Sequence, residues 1–204
     1  MNYPLQQLSA LYPLSAQLGG VLTHMELSSL FGLTNPVLLN RRINMFIGAG
    51  ILQRYCRGVY TTKEFKPTML AQKIRTDSYL SLESALAKYL MIGTVPQFKL
   101  SCLSTLPGAE FTGEPTISYG QISEEMCFGF DTLVDGTRIA DREKALLDTL
   151  YFYLKGRKYF FNLFQDVDTS QVNRKKLNRY LNLYKNPKFK TFVRSYLDGK
   201  FSNY

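Results

Sequence analysis

The chain has 204 residues, 45% of them hydrophobic and 20% charged, with a net charge of +9. The length suits two domains, and that balance argues against a disordered chain. Cys56, Cys102 and Cys127 lie far apart, and His24 is alone. A disulfide framework, a His- or Cys-rich metal site and a histidine relay are therefore disfavoured, no metal or cofactor is expected, and a reducing cytoplasm is the expected setting.

The first 25 residues carry no Asp, Glu, Lys or Arg. They lack a basic start, and Pro4, Gln6, Gln7, Pro13 and Gln17 interrupt every apolar run. Neither an export signal nor a membrane span fits; an amphipathic helix packed on its own domain does.

Thr23-His24-Met25-Glu26 has the spacing of a capping box, so a helix is predicted to start there and to end at Gly32. After Leu33-Thr34, Asn35 is a good N-cap, and Pro36 suits the first helical position. The second helix runs to about Gly48. Leu39, Ile43, Phe46 and Ile47 fall on one side, Arg41, Asn44 and Met45 roughly opposite, and Arg42 on a flank.

Gly50 to Thr61 then reads as two short β-prone runs around Cys56-Arg57-Gly58, with Gly58 free to take a positive φ. A helix pair followed by a hairpin is the pattern of a winged helix-turn-helix over residues 1–65. In such a domain the second helix reads bases. Arg41 and Asn44 suit guanine and adenine edges. Thr34, Asn35 and Asn40 suit phosphates near the helix start. Arg57 at the hairpin tip suits the DNA backbone or minor groove, with Arg42 and Arg54 as flanking candidates. Tyr55 and Tyr60 read as packing residues.

Residues 66–204 are expected to form a second, mixed domain. Helices are predicted over 68–76 and 81–91, the latter capped by Ser81. Residues 97–138, punctuated by five glycines and a proline between Gly108 and Gly136, predict a small antiparallel sheet that includes Thr116–Tyr119 and Met126–Phe130. Asp141 is predicted to cap a helix holding Ala145, Leu146, Leu150 and Leu154. Two or three aromatic-rich helices follow within 157–199. The fold class is therefore α+β.

Charge is uneven along the chain. Residues 1–65 carry net +3, residues 66–156 net −2, and residues 157–204 net +8. A basic segment attracts phosphate or an acidic protein surface, or forms a solvated helical face.

Three segments lie behind the hairpin: Ser78-Tyr79-Leu80-Ser81-Leu82-Glu83-Ser84-Ala85-Leu86, Gly129-Phe130-Asp131, and Ile139-Ala140-Asp141-Arg142-Glu143-Lys144-Ala145-Leu146-Leu147-Asp148. Together they resemble the AbiEi family of antitoxin-type transcriptional regulators, over about residues 20–155. The resemblance implies a winged helix that binds double-stranded DNA at the operon's own promoter and represses it. It also implies a second domain with antitoxin activity towards a nucleotidyltransferase toxin, with no stable complex required. The chain departs from the family at one turn. Where glycine often follows the tyrosine after the first motif, it has Leu90 and Met91, and glycine comes only at Gly93.

Glu83, Asp141, Glu143, Lys144 and Asp148 could be read as an acid–base site. Helix-start acids and an i, i+4 ion pair account for them more simply. Asp166-Val167-Asp168 lacks the flanking glycine-serine segment of a nucleotidyltransferase metal site, and neither a phosphate loop nor a nucleophile elbow is present. The expected function is thus a non-enzymatic, sequence-specific DNA-binding autorepressor. The alternative is a protein-interaction module that grips an acidic partner through the basic aromatic segment 157–204.

Overall fold

A computed structural model describes residues 3–93 and 98–201. Residue 97, where the glycine-punctuated stretch begins, and residues 202–204 of the basic segment lie outside them. The chain divides into two compact units, Met1–Thr76 with Val134–Thr137, and Asp77–Leu133 with Arg138–Tyr204. Among the described residues no helix is long and apolar enough to cross a membrane.

The first unit contains α1 (Tyr3–Gln17), β1 (Val21–Thr23), α2 (His24–Phe31), α3 (Pro36–Gly48), β2 (Gln53–Cys56), β3 (Val59–Thr61) and α4 (Pro67–Ile74). Local chemistry sets the helix ends. The Glu26 amide donates to Thr23 Oγ1 at 3.2 Å, and the Thr23 amide donates to Glu26 Oε2 at 2.7 Å, which closes the capping box. Gly32 ends α2 at φ 63°, in the left-handed region that glycine adopts without strain. Asn35 Oδ1 accepts from the Val37 and Leu38 amides at 2.9 and 3.3 Å, with Pro36 at the first helical position.

The strands form an antiparallel sheet in the order β1-β3-β2, with a bulge between Arg54 and Cys56. Its core joins Leu11 and Leu22 to Leu27, Phe31, Leu39, Ile43 and Phe46, with Leu52 and Tyr60 closing the hairpin side. The Phe31 and Phe46 rings stack at 5.2 Å and tie α2 to α3.

The boundary expected after residue 65 falls one helix too early. Helix α4 packs on β1 and β3. Lys73 Nζ donates to the Val21 carbonyl at 2.7 Å and pairs with Glu26 Oε1 at 2.7 Å. A short amphipathic helix does not advertise which core it will join.

The second unit contains β4 (Tyr79–Leu80), α5 (Leu82–Lys88), β5 (Lys99–Ser104), β6 (Ala109–Phe111), β7 (Thr116–Gln121), a 3₁₀ turn at Glu124–Met126, β8 (Phe130–Thr132), β9 (Arg138–Ala140), α6 (Arg142–Leu154), α7 (Arg174–Leu183) and α8 (Pro187–Phe201). The expected small antiparallel sheet is instead a six-stranded mixed sheet, β6-β7-β5-β4-β9-β8. The β5–β7 and β4–β9 pairs run parallel. Strand β6 takes the outer edge of β7, which frees β7 to lie beside β5 in the same direction. Met126 to Gly129 is not strand but a tight passage. A Cβ on Gly129 would meet Tyr180 Cε2 at 2.9 Å and Lys144 Cβ at 3.0 Å, so only glycine fits there.

Helix α6 is central, with Ala145, Leu146, Leu147 and Leu150 fully buried and α5, α7 and α8 packed on it. Asp141 caps it by accepting from the Lys144 amide at 2.9 Å. Ser81 does precede α5, but its hydroxyl makes no capping bond and turns instead to Asp148 Oδ2 at 2.8 Å. Residues 157–173 carry no helix, so the basic segment holds the helices α7 and α8 alone.

Leu90 stands where the resembling family often has glycine, and it takes the left-handed conformation itself, at φ 57°. Its side chain is exposed and gains little from packing. Leu90→Gly is expected to stabilise the chain by about 1 kcal/mol, because the strain of a left-handed Cβ is about 1–2 kcal/mol and added unfolded-state entropy offsets part of it. Thermal unfolding checks this; an unchanged or lower midpoint refutes it.

Candidate nucleic-acid interface

Helix α3 buries Leu39, Ile43 and Phe46 and leaves Val37, Asn40, Arg41, Asn44 and Met45 exposed. The β2–β3 hairpin rises beside its polar side, turning through Arg57 and Gly58, with Gly58 at φ 79°. Between them lies an open groove of about 1110 Å³, lined by His24, Asn40, Asn44, Arg54, Tyr55, Cys56, Arg57, Gly58 and Tyr60.

Four of the predicted residues, Asn40, Asn44, Arg54 and Arg57, line this groove. Asn44 Oδ1 accepts from Arg54 Nη2 at 3.5 Å, and the Arg54 guanidinium lies 5.6 Å over the Tyr60 ring. Arg41 is exposed on the same helix but outside the groove lining. Thr34 and Asn35 are exposed at the start of α3, where Asn35 is engaged as the N-cap. Arg42 is turned away from this group: it is half-buried, and its Nη1 donates to Gln7 Oε1 of α1. Its flank position, legible in the sequence, puts it against α1. Tyr60 is buried and Tyr55 half-buried, as packing residues are.

His24 was not singled out by sequence reasoning. It opens α2, its amide donates to the Gly58 carbonyl at 2.8 Å, and its Nε2 lies 3.3 Å from Asn40 Oδ1. The signal that could have found it is its place directly after the N-cap Thr23, which β1 pairs opposite Val59 at the hairpin.

The groove's electrostatics are one-sided. Between Glu26 and Glu64 the sequence has no carboxylate side chain, but it has Arg41, Arg42, Arg54, Arg57 and Lys63. Burial pushes the Cys56 thiol up, so it adds no negative charge at neutral pH. A surface that holds cations and amides without acids attracts polyanions.

The polar residues of the second unit form interior networks. Lys144 and Asp148 are both 0% exposed and form an i, i+4 ion pair. Asp148 Oδ2 accepts from Tyr79 Oη at 3.0 Å and from Ser81 Oγ at 2.8 Å, and Lys144 Nζ donates to Tyr184 Oη at 3.2 Å. The Lys144 ammonium sits 4.6 Å from the Phe128 ring centre. Burial pushes the Asp148 carboxyl above its usual range, against the pull of Lys144 and the hydroxyls.

Glu83 Oε1 accepts from Ser101 Oγ at 2.7 Å and Arg157 Nη2 at 2.8 Å. Glu143 Oε1 accepts the Asn173 amide at 2.7 Å, and Asp141 Oδ2 accepts from Tyr180 Oη at 2.8 Å. Glu83, Asp141, Glu143 and Asp148 are thus tied into the packing of α5, α6 and α7. Asp166 and Asp168 are exposed and bond the amides of Asn162 and Ser170 in their own loop. Among the described residues no three His, Cys, Asp or Glu side chains gather as a metal site.

No protein-family model and no curated protein matches the chain. Among solved structures, the crystal structure of the RV2827C protein from Mycobacterium tuberculosis is similar in fold, with a TM-score of 0.62 at 14% identity, covering 95% of this chain and 77% of that one.

Proposed function

We propose that the chain is a sequence-specific DNA-binding regulator whose first unit is a winged helix-turn-helix. In this reading α2 and α3 are the helix pair, α3 is the recognition helix, and β2–β3 is the wing. One observation carries the reading: Asn40 and Asn44 from the helix and Arg54 and Arg57 from the hairpin converge on a single acid-free groove. A duplex brings phosphates to such a surface, and the release of its counterions drives binding. The AbiEi resemblance extends the proposal to repression of the chain's own promoter and to antitoxin activity, carried by the second unit, towards a nucleotidyltransferase toxin. Both would act in the cytoplasm.

The test is fluorescence anisotropy of the full chain on duplexes tiled across its own upstream region, at several salt concentrations. One tight, salt-sensitive duplex is expected, with weak binding elsewhere. Arg41→Ala should cost about 1–3 kcal/mol at a single base position. Arg57→Ala should weaken all duplexes evenly and lower the salt slope by about 1. Arg42→Ala should leave selectivity unchanged, because its guanidinium faces Gln7. Equal, weak binding to every duplex would sink the proposal.

A second reading draws on the basic segment. Helix α7 exposes Arg174, Lys175 and Arg179, which suits an acidic protein surface. A stoichiometric protein partner recovered without any duplex binding would favour it.

A further inference from the structure

The outward side of α3 is not uniformly polar. At 3.6 residues per turn, Val37, Arg41, Asn44 and Gly48 fall within about 60° of one another, opposite the buried Leu39, Ile43 and Phe46. Asn44 lines the hairpin groove, whereas Val37 and Arg41 lie outside its lining. Val37 is 74% exposed and its neighbour Leu38 51%. Both stand in the first turn of the helix, where the dipole favours Asp or Glu, yet that turn holds no acid. Valine is also a weaker helix former than glutamate. A choice that exposes apolar surface and forgoes helix stability, on a helix otherwise well capped, is a mark of function rather than of folding.

Val37 is rigidly placed as well. Its amide donates to Asn35 Oδ1 at 2.9 Å, which fixes the backbone. A β-branched side chain in a helix keeps one χ1 rotamer, so its two methyl groups have little freedom left to lose on contact.

We infer that Val37 reads the C5 methyl group of a thymine in the major groove, within about two base pairs of the base that Arg41 contacts. The inference rests on the DNA-binding reading above and specifies a base that the site selects. The N-terminal residues of a recognition helix reach base edges, and Val37 is the second residue of α3. The thymine methyl is the apolar group that base edges show in the major groove, and apolar side chains match it. Charge favours nucleic acid over an apolar protein surface as the occupant. Arg41 stands one turn on from Val37, and no carboxylate side chain lies between Glu26 and Glu64. The rise of about 1.5 Å per residue sets Val37 about 6 Å from Arg41 along the helix, against about 3.4 Å per base pair.

The test is selection of duplexes from a pool with a randomised core by the full chain. Anisotropy follows on the enriched duplex, with each thymine replaced in turn by deoxyuridine, which lacks only the methyl group. One thymine should respond, its replacement weakening binding about fourfold, the effect of burying one methyl-sized group. It should lie within about two base pairs of the position that Arg41→Ala relaxes. In Val37→Ser the thymine-over-uracil ratio at that position should fall from about fourfold to about one, whatever happens to overall affinity. Val37→Ile should keep the ratio. Both substitutions fall on an exposed side chain and spare the core.

A selected duplex whose thymines can all be replaced without loss would overturn the inference while leaving sequence-specific binding in place. So would a Val37→Ser chain that keeps its parent's ratio. Failure to enrich any duplex would remove it together with the function on which it rests.

Discussion

Asp148→Ala is expected to lower the stability of the second unit by about 3–5 kcal/mol, because it leaves one buried charge uncompensated. Lys144 is fully buried and lies among the Tyr79, Phe128 and Tyr184 rings, and Asp148 is its ionic partner. The substitution also removes the acceptor of the Tyr79 and Ser81 hydroxyls. Urea unfolding followed by tyrosine fluorescence should show the midpoint falling. Adding Lys144→Met to Asp148→Ala should recover part of the loss, because an apolar side chain of similar length no longer needs a counter-charge. If the double variant is no more stable than Asp148→Ala alone, the penalty does not arise from an unpaired lysine. A stable Asp148→Ala chain would remove the network as a determinant of the fold.

The next largest effect is expected at Gly20, between α1 and β1. Its φ is +75°, and a Cβ there would lie 2.2 Å from the Glu64 carbonyl oxygen and 2.7 Å from the Phe65 Cα. Both obstacles are backbone and cannot swing aside. Gly20→Ala should therefore cost about 2–5 kcal/mol, from the left-handed strain plus the shift forced on the chain at Glu64 and Phe65. Gly58 is the control. It has a similar φ of +79° but open space around its Cβ position, so Gly58→Ala should cost only about 1–2 kcal/mol. Equal losses at the two positions, measured by thermal unfolding, would mean that close approach contributes nothing at Gly20.

The features that the sequence made legible are those decided within about four residues. Thr23 with Glu26, Asn35 with Pro36, and the Arg57-Gly58 turn each form from neighbours, so they could be read before any packing was known. The groove was half legible. Arg54 and Arg57 follow from the hairpin, and Asn40 and Asn44 from helical spacing. His24 was passed over because its partner Asn40 lies sixteen residues away. The contact of Arg42 with Gln7 was not legible, because helical spacing put Arg42 on a flank without showing that α1 would cover that flank.

Sheet topology was not legible. Strand β4 is only Tyr79–Leu80, too short for an alternating pattern, yet it sits between β5 and β9. Ser81 occupied the predicted cap position but answered to Asp148, 67 residues on. In each case a contact remote in sequence overrode a local preference.

The segment Val134–Thr137, the turn between β8 and β9, belongs to the first unit. Asp135 pairs with Lys66 at 3.6 Å, and the buried Thr137 hydroxyl lies 3.5 Å from Met69 Sδ. The chain therefore changes unit after Thr76, after Leu133 and after Thr137. A module joined by one junction can be exchanged between proteins by a single recombination. This one cannot: a swap at Thr76 would bring in a foreign α4 while keeping the resident turn that fits Lys66 and Met69. An exchange of the first unit must therefore carry Val134–Thr137 together with Met1–Thr76.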